Sequence, residues 1–430
     1  MVKSLNNPKH TPHKYSGITA DSREVKKGFI FVAVKGLVAD GHDYISQAIV
    51  NGAKIIVGEK DVKVPAGVKY IKVKDSRVAL GEYASEFYGH PADRLKVIGV
   101  TGTKGKTTTA HIIYHILTLS GKKTGLISSI VAKIGDNEMD TGFHVTSPDV
   151  ISLHKFLKQM VDAGYEYAVI EVSSHGIDQK RIAGVNFDIG VLTNIAPEHL
   201  DYHKTFKEYK RVKMSFINSC KYKVIAPVDT DLDILPGKFN NLNIEAAIKA
   251  VEFLGIDRAS AIKTLKTFKL PEGRLEVINN SKGIKIFIDF AHTPESLEAA
   301  LKYVRTQTTN KLIAVFGCAG ERDSFKRPKM GKVASELADE VILTAEDPRT
   351  ENVDDIIGQI KSGIVSNKAK IYEEPDRRHA IKMAIEHTKK GDSVGIFGKG
   401  HEKSMNLDGI HETPWSDQEV VREYIKVQTK

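Results

Sequence analysis

The sequence predicts an α/β protein organised in three domains. Three observations carry this expectation. After about residue 271, short apolar segments alternate regularly with helical patterns. Near residue 100, an apolar strand runs into a glycine-rich turn and then a helical pattern. Between the first strands and that turn, HPADRLK (90–96) reads as a linker. Strands alternating with helices imply a parallel, doubly wound sheet.

The first block, residues 1–90, holds short strands at 29–34, 54–57 and 69–73 and helical patterns at 44–51 and 77–88. The second, 91–270, opens with the strand KVIGV (96–100), then the glycine loop and a helix from Thr107 to about Leu119. AVIEV (168–172) and residues 189–192 read as further buried strands, and NNLNIEAAIKAVEFLG (240–255) as a helix ending at Gly255. The third block, 271–430, alternates strand 284–290, helix 294–305, strand 311–317, helix 328–338, strand 340–345 and helix 353–363. Strand 370–374, helix 376–389 and strand 393–398 complete it.

Bulk properties narrow the function classes. The 430 residues are 41% hydrophobic and 27% charged, ordinary for a chain that buries real cores. Sixty-three basic against 54 acidic residues give a formal charge of +9, which suits anionic ligands such as nucleotides. The basic residues are dispersed without interleaved aromatics, so no nucleic-acid surface is expected. Cys220 and Cys318 lack metal-ligand spacing and form no disulfide framework. The first residues contain no apolar segment of the kind a signal peptide needs, and no 18-residue apolar run exists. The expectation is a cytoplasmic protein, monomeric, with no membrane partner.

The stretch GVTGTKGKTTTA (99–110) carries the first chemistry. The general phosphate-loop pattern G-x-x-x-x-G-K-[ST] requires glycine at 100, where Val100 stands; the glycine is Gly99. Strand, glycine turn and helix nevertheless present backbone N–H groups at a helix N-terminus, which bind phosphate. Gly102 and Gly105 allow close approach, Lys106 can reach the β- and γ-phosphates, and Thr107 can ligate Mg²⁺. Thr108 extends the turn. The plainer alternative is a glycine- and threonine-rich turn with an incidental lysine. The shifted glycine argues against kinase-type and motor ATPases.

The form GTKGKTT (102–108) resembles the loop of the Mur ligases and of their folylpolyglutamate synthetase relatives. EVSSHGIDQKR (171–181), TNIAPEHLDYH (193–203), FNNLN (239–243), GRLE (273–276), DFAHTPE (289–295), GCAGERD (317–323), AEDPRTE (345–351) and GKGHE (398–402) follow in order. Each motif alone is weak; the set resembles the Mur ligases that extend a UDP-sugar dipeptide by a diamino acid, over nearly the whole chain. The resemblance implies three domains: an N-terminal uridine-binding domain (1–90), a central P-loop ATPase domain (91–270) and a C-terminal Rossmann-like domain for the amino acid (271–430). It implies ATP and Mg²⁺. It implies an ATP-dependent reaction in which the terminal carboxylate of UDP-N-acetylmuramoyl-L-Ala-D-Glu becomes an acyl phosphate. The amine of a diamino acid then attacks it.

The resemblance also implies roles for particular residues. Lys106, Glu171, His199 and Lys213 are the implied catalytic set, with Thr107, Glu171 and a carbamylated Lys213 as metal ligands. Carbamylation requires a desolvated, neutral amine; the alternative is a solvated lysine on a lysine-rich helix. ATP falls to Gly102, Thr103, Lys104, Gly105, Lys106, Thr107, Thr108, Asn243, Arg274, Asp289 and His292. The nucleotide sugar and its dipeptide fall to Ser22, Leu37, Val38, Ala39, Thr146, Ser147, Ser173, Gln179 and Arg181. The diamino acid falls to Arg322, Glu346, Asp347, Pro348, Arg349, Gly398 and Glu402, where arginine can grip a carboxylate bidentately. Any of these could instead be a loop hydroxyl or a surface ion-pair member.

Two departures from the family pattern matter. Where diaminopimelate-adding enzymes carry Asp-Asn-Pro-Arg, this chain has Glu346-Asp347-Pro348-Arg349. An ionised Asp347 cannot donate to a distal carboxylate and would repel it, which makes L-lysine a contender. Arg349 argues for meso-diaminopimelate, which is favoured. Second, only 26 residues separate Lys213 from Asn240, so the central sheet is trimmed and this segment supplies one strand at most. Two other readings stand beside the ligase. One is a non-catalytic relative that binds nucleotide or muropeptide. The other is a folate-type ligase, which would lack the N-terminal block.

Overall fold

The computed structural model describes the chain apart from residues 1–14, 37–38, 136, 140–146, 226–231, 233, 366–367 and 427–430 and the Lys426 side chain. It divides into two compact units. The first draws on Met1–Thr101, Gly121–Gly190 and Val212–Lys223, the second on Gly102–Ser120, Val191–Arg211 and Val224–Lys430.

The first unit opens with a parallel sheet of β1 (Ile18–Thr19), β2 (Ile30–Val32), β3 (Ile55–Gly58) and β4 (Lys69–Lys72), in that order. Successive side chains on a strand face opposite ways. Ile30 and Val32 therefore join a core with Ala79 and Ala84 of the helix Ser76–Phe87. Phe31 and Ala33 join one with Ile45 and Ala48 on the other face. Asp75 caps the Ser76–Phe87 helix by accepting the N–H groups of Arg77 and Val78. The expected linker is instead a packed turn. Pro91–Arg94 forms a 3-10 helix with Pro91 and Ala92 buried against the helix Val150–Asp162. Proline at the first helical position and a small apolar neighbour make that burial cheap.

Seven strands form the next sheet: β5 (Lys96–Thr101), β6 (Thr124–Ile127), β7 (Ala132–Ile134), β8 (Asn137–Met139), β9 (Tyr167–Glu171), β10 (Ile189–Leu192) and β11 (Tyr222–Ile225). Their order is β11-β10-β5-β9-β6-β7-β8. β5, β9 and β6 pair in parallel; β7 and β8 are antiparallel additions that apolar patterning did not reveal. β11 is the single described strand between Lys213 and Asn240, as the shortened segment implies.

The second unit holds a six-stranded sheet of β12 (Glu276–Ile278), β13 (Lys285–Asp289), β14 (Leu312–Phe316), β15 (Glu340–Leu343), β16 (Lys370–Glu373) and β17 (Ser393–Phe397). The order is β12-β13-β17-β14-β15-β16, parallel except for β12 at the edge. Helices Pro294–Thr306, Lys326–Leu337 and Val353–Lys361 bury Leu297, Met330 and Ile357 against one face. Helices Arg377–Glu386 and Asp417–Lys426 bury Ile381 and Val421 against the other. The sheet is thus doubly wound, as the alternation implied. A hairpin of β18 (Ser404–Asn406) and β19 (Glu412–Pro414) follows β17. Ligands of such sheets bind beyond the carboxyl ends of the strands, and the motifs at 317–323, 346–349 and 398–402 all follow such ends.

Candidate active site

In the second unit the glycine loop wraps onto residues 193–196. A Cβ at Gly102 would overlap Thr193 Oγ1, and one at Gly105 would overlap Asn243 Oδ1. Gly105 also has φ 81°, a left-handed conformation that glycine adopts without strain. Thr103 N–H donates to Asn194 O at 3.0 Å, and Lys104 N–H to Asn194 Oδ1 at 2.9 Å. The Thr103 hydroxyl lies 2.9 Å from Tyr209 OH. Lys106 Nζ folds back to Thr103 O at 3.1 Å. Lys106 and Thr107 open the helix Lys106–Leu119, whose first-turn amides have no partner within the helix by its own geometry. The loop thus sets the first-turn amides and the Lys106 ammonium together at the start of one helix.

Lys104 pairs with Glu198, a residue the sequence reading passed over beside His199. His292 Nε2 lies 3.7 Å from the same carboxylate, and His199 Nε2 lies 3.9 Å from it. Burial opposes ionisation of Glu198, but Lys104 and both histidines outweigh it and hold the carboxyl well below the usual range. Burial also pulls the Lys104 ammonium down, with Glu198 opposing. His292 is pushed down by burial and by Lys104, with Glu198 opposing.

Arg274 sits over the Phe290 ring at 4.6 Å, with Nη2 at 3.4 Å from Thr107 Oγ1 and Nη1 at 3.5 Å from His401 Nδ1. Burial, then Arg274, drives His401 down to about 3, so it faces the guanidinium as a neutral acceptor. Asn243 Nδ2 donates to Asn240 Oδ1 at 2.8 Å. Asp289 uses its carboxylate on the backbone: Leu275 N–H at 2.7 Å and Ala291 N–H at 2.9 Å. It therefore holds the GRLE segment against the end of β13.

In the first unit, Glu171 ends β9 and is buried. Ser129 donates to its Oε2 twice, from N–H at 3.0 Å and from Oγ at 3.1 Å. Lys213 is 1% exposed, its Nζ 3.2 Å from Thr101 Oγ1 at the end of β5. Lys213 is therefore not the solvated lysine of the alternative reading. Ser147, Ser173, Gln179 and Arg181 form one cluster. The two serine hydroxyls are 3.2 Å apart, Arg181 Nη1 donates to Ser147 O at 3.0 Å, and Nη2 donates to Gln179 Oε1 at 2.7 Å. Ser22 is buried, with its carbonyl accepting Asn51 Nδ2 at 2.8 Å. Ala39 O accepts Gly36 N–H at 2.8 Å. Leu37, Val38 and Thr146 lie outside the described residues.

The amino-acid motifs gather in the second unit. Arg349 has φ 53°; its N–H donates to Asn406 O at 3.1 Å and its Nη1 to Gly320 O at 2.6 Å. Pro348 is buried beside it, and Arg322 is exposed. Gly398, φ 107°, leaves room for Glu346: a Cβ there would stand 3.1 Å from the Glu346 carboxyl carbon. Glu346 Oε2 is buried without a hydrogen-bond partner, and burial pushes its carboxyl up to about 7. Asp347 Oδ1 accepts Lys399 Nζ at 2.8 Å, and Glu402 Oε2 accepts the same ammonium at 2.6 Å. This corrects the charge argument made from sequence. Asp347 is paired with a buried ammonium and does not face the pocket as a bare anion.

Three family models match in succession: the Mur ligase family catalytic domain at 14–88, the Mur ligase middle domain at 100–286, and the Mur ligase glutamate ligase domain at 273–400. The chain is 40% identical to the UDP-N-acetylmuramoyl-L-alanyl-D-glutamate–2,6-diaminopimelate ligase of Aquifex aeolicus, across 96% of this chain and 94% of that one. This chain belongs to the Mur ligase family. It is accordingly an ATP-dependent ligase. The Clostridioides difficile protein of the same name is 36% identical over 95% of this chain and 94% of its own. A solved structure of a ligase so named matches with TM-score 0.64 and 28% identity, covering 97% and 96% of the two chains. A MurF ligase from Thermotoga maritima, solved with ADP, shares the fold at TM-score 0.59 and 20% identity. The Aquifex alignment runs over 462 residues, more than the 430 of this chain, so that relative carries segments this Mur ligase lacks.

Three residues of this Mur ligase escaped sequence reasoning although two of them lie inside recognised motifs. Glu198 neighbours His199, and Lys399 sits within GKGHE. A buried ion pair is invisible until the fold brings its partner up. Ser129 lies outside every motif, and only contact with Glu171 marks it.

Proposed function

We propose that this Mur ligase joins meso-2,6-diaminopimelate to the D-glutamyl carboxylate of UDP-N-acetylmuramoyl-L-Ala-D-Glu, in the cytoplasm and as a monomer. The supporting observation is near full-length similarity to enzymes named for that reaction, together with a glycine loop at 102–105 that has no room for side chains. The domain limits proposed are 1–90 for the nucleotide sugar, 91–270 for ATP and 271–430 for the amino acid.

The residues fit a nucleotide and a divalent cation. Gly102 and Gly105 leave space that any side chain would fill. In the first unit the buried Glu171 and a carbamylated Lys213 would hold Mg²⁺, which when bound neutralises charge on the transferring phosphoryl group. The chain's own part is to bind, orient and exclude water. The amides that open the helix Lys106–Leu119 and the Lys106 ammonium stabilise the charge that develops on the phosphoryl oxygens. Transfer to the substrate carboxylate creates an acyl phosphate, turning a poor electrophile into one with a good leaving group. The incoming amine adds to that carbon, and phosphate departs. Ser147, Ser173, Gln179 and Arg181 would hold the dipeptide end. Glu198 would fix Lys104 and His292 beside the glycine loop. Arg322, Arg349, Gly398 and Glu402 would receive the diamino acid.

Phosphate release, measured with UDP-N-acetylmuramoyl-L-Ala-D-Glu, ATP and each amino acid in turn, tests this. Release with meso-diaminopimelate at a higher kcat/KM than with L-lysine is expected. Release with neither would overturn the ligase assignment for these substrates; a preference for L-lysine would overturn the amino-acid assignment alone.

A further inference from the structure

Lys399 is fully buried just beyond the carboxyl end of β17. Its Nζ lies 2.8 Å from Asp347 Oδ1, beyond β15, and 2.6 Å from Glu402 Oε2. The same Asp347 oxygen accepts the Asn406 N–H at 3.1 Å, which draws in the last residue of β18. One ammonium therefore ties three separate segments together where the amino-acid motifs meet. Three acids, Glu346, Asp347 and Glu402, gather here, and Lys399 is the cation in contact with two of them.

A diamino acid's distal end presents either an ammonium alone, as in lysine, or an ammonium with a carboxylate, as in diaminopimelate. Uncompensated carboxylates attract the first and repel the second. We infer that Lys399 is a specificity-determining residue: by pairing with Asp347 it cancels the charge that would exclude the distal carboxylate of diaminopimelate. It supplies by compensation what a neutral amide at position 347 would supply by carrying no charge. This rests on the diaminopimelate reading above. Lys399 keeps its proton there, since Glu402 and Asp347 outweigh the burial that opposes it.

The test measures kcat/KM for meso-diaminopimelate and L-lysine with the full-length enzyme at saturating ATP and nucleotide sugar. Lys399→Met keeps the length and removes the charge. It is expected to lower the diaminopimelate-to-lysine ratio about tenfold or more, because Asp347 is left buried and unpaired. Adding Asp347→Asn to that variant is expected to restore the ratio to within about threefold of wild type, since no bare charge then remains at 347. Equal losses for both amino acids, or no recovery in the double variant, would overturn the inference. If Lys399→Met does not fold, the double variant is compared with Asp347→Asn alone. The two ratios are expected to agree, and a tenfold difference would overturn the inference. A wild type active with neither amino acid, or preferring L-lysine, overturns the diaminopimelate reading and this inference with it. A wild type preferring diaminopimelate, with an unmoved ratio in Lys399→Met, overturns the inference alone.

Discussion

Replacing Glu346 by glutamine removes an ionisation that the fold opposes. Glu346 is 7% exposed, its Oε2 is buried without a partner, and burial raises its carboxyl from 4.5 to about 7. Lys326 and Lys399 pull the other way, while Asp347 and Glu402 add to the rise. A raised carboxyl means that the folded state holds a proton the unfolded chain has released. Stability from this group is therefore complete below about pH 4.5, falls as pH rises to about 7, and is flat above. At about 1.4 kcal/mol per pH unit, the loss across that window is about 3 kcal/mol. Glu346→Gln cannot ionise and does not share the loss. Relative to wild type it is expected to gain about 3 kcal/mol between pH 4.5 and 8, or roughly 6–12 °C in the melting transition that contains residue 346. Melts of both proteins across that range measure it, and the difference between them cancels titrations common to both. A difference that moves by less than about 1 kcal/mol, or falls as pH rises, would refute the reasoning.

Gly105→Ala forces a methyl onto Asn243 Oδ1 at φ 81°; calorimetry with ADP is expected to show affinity reduced about tenfold or more, and wild-type affinity would contradict a phosphate role for the glycine loop. Lys106→Ala and Lys213→Ala are each expected to nearly abolish phosphate release, and a wild-type rate in Lys213→Ala without chemical rescue would remove the carbamate. Arg377 is buried, pairs with buried Asp417 at 2.7 Å, and donates to Ala345 O and Phe397 O at the ends of β15 and β17. Arg377→Met is expected to destabilise the protein by about 3–5 kcal/mol by stranding Asp417, with recovery on adding Asp417→Leu. Destabilisation below about 1 kcal/mol would show the pair to be dispensable.

Strands and helices of the third block were legible because their apolar residues recur with clear strand and helix periods over long stretches. Val150–Asp162 escaped notice although it is amphipathic, since no motif drew attention to it. β7, β8 and β12 are three residues long, too short for a period to register, although each pairs with the strand next to it along the chain. The same holds in the site. Lys106, Glu171 and Lys213 stand in recognisable motifs. Asp289 also stands in one, but that its carboxylate accepts the N–H groups of Leu275 and Ala291 is visible only in the fold.

The order of residues along the chain settled the α/β class, the doubly wound third block and the strand, glycine turn and helix at 96–119, because these depend on local period and spacing. The family followed from motifs in their order. Charge states and pairings were left to the fold. Lys104 meets Glu198, Lys399 meets Asp347, and Glu346 Oε2 is left without a hydrogen-bond partner only once strands distant in sequence are gathered into one sheet. An ionisable group's behaviour is set by what surrounds it in space and by how much water reaches it, and neither quantity is written at its own position in the chain.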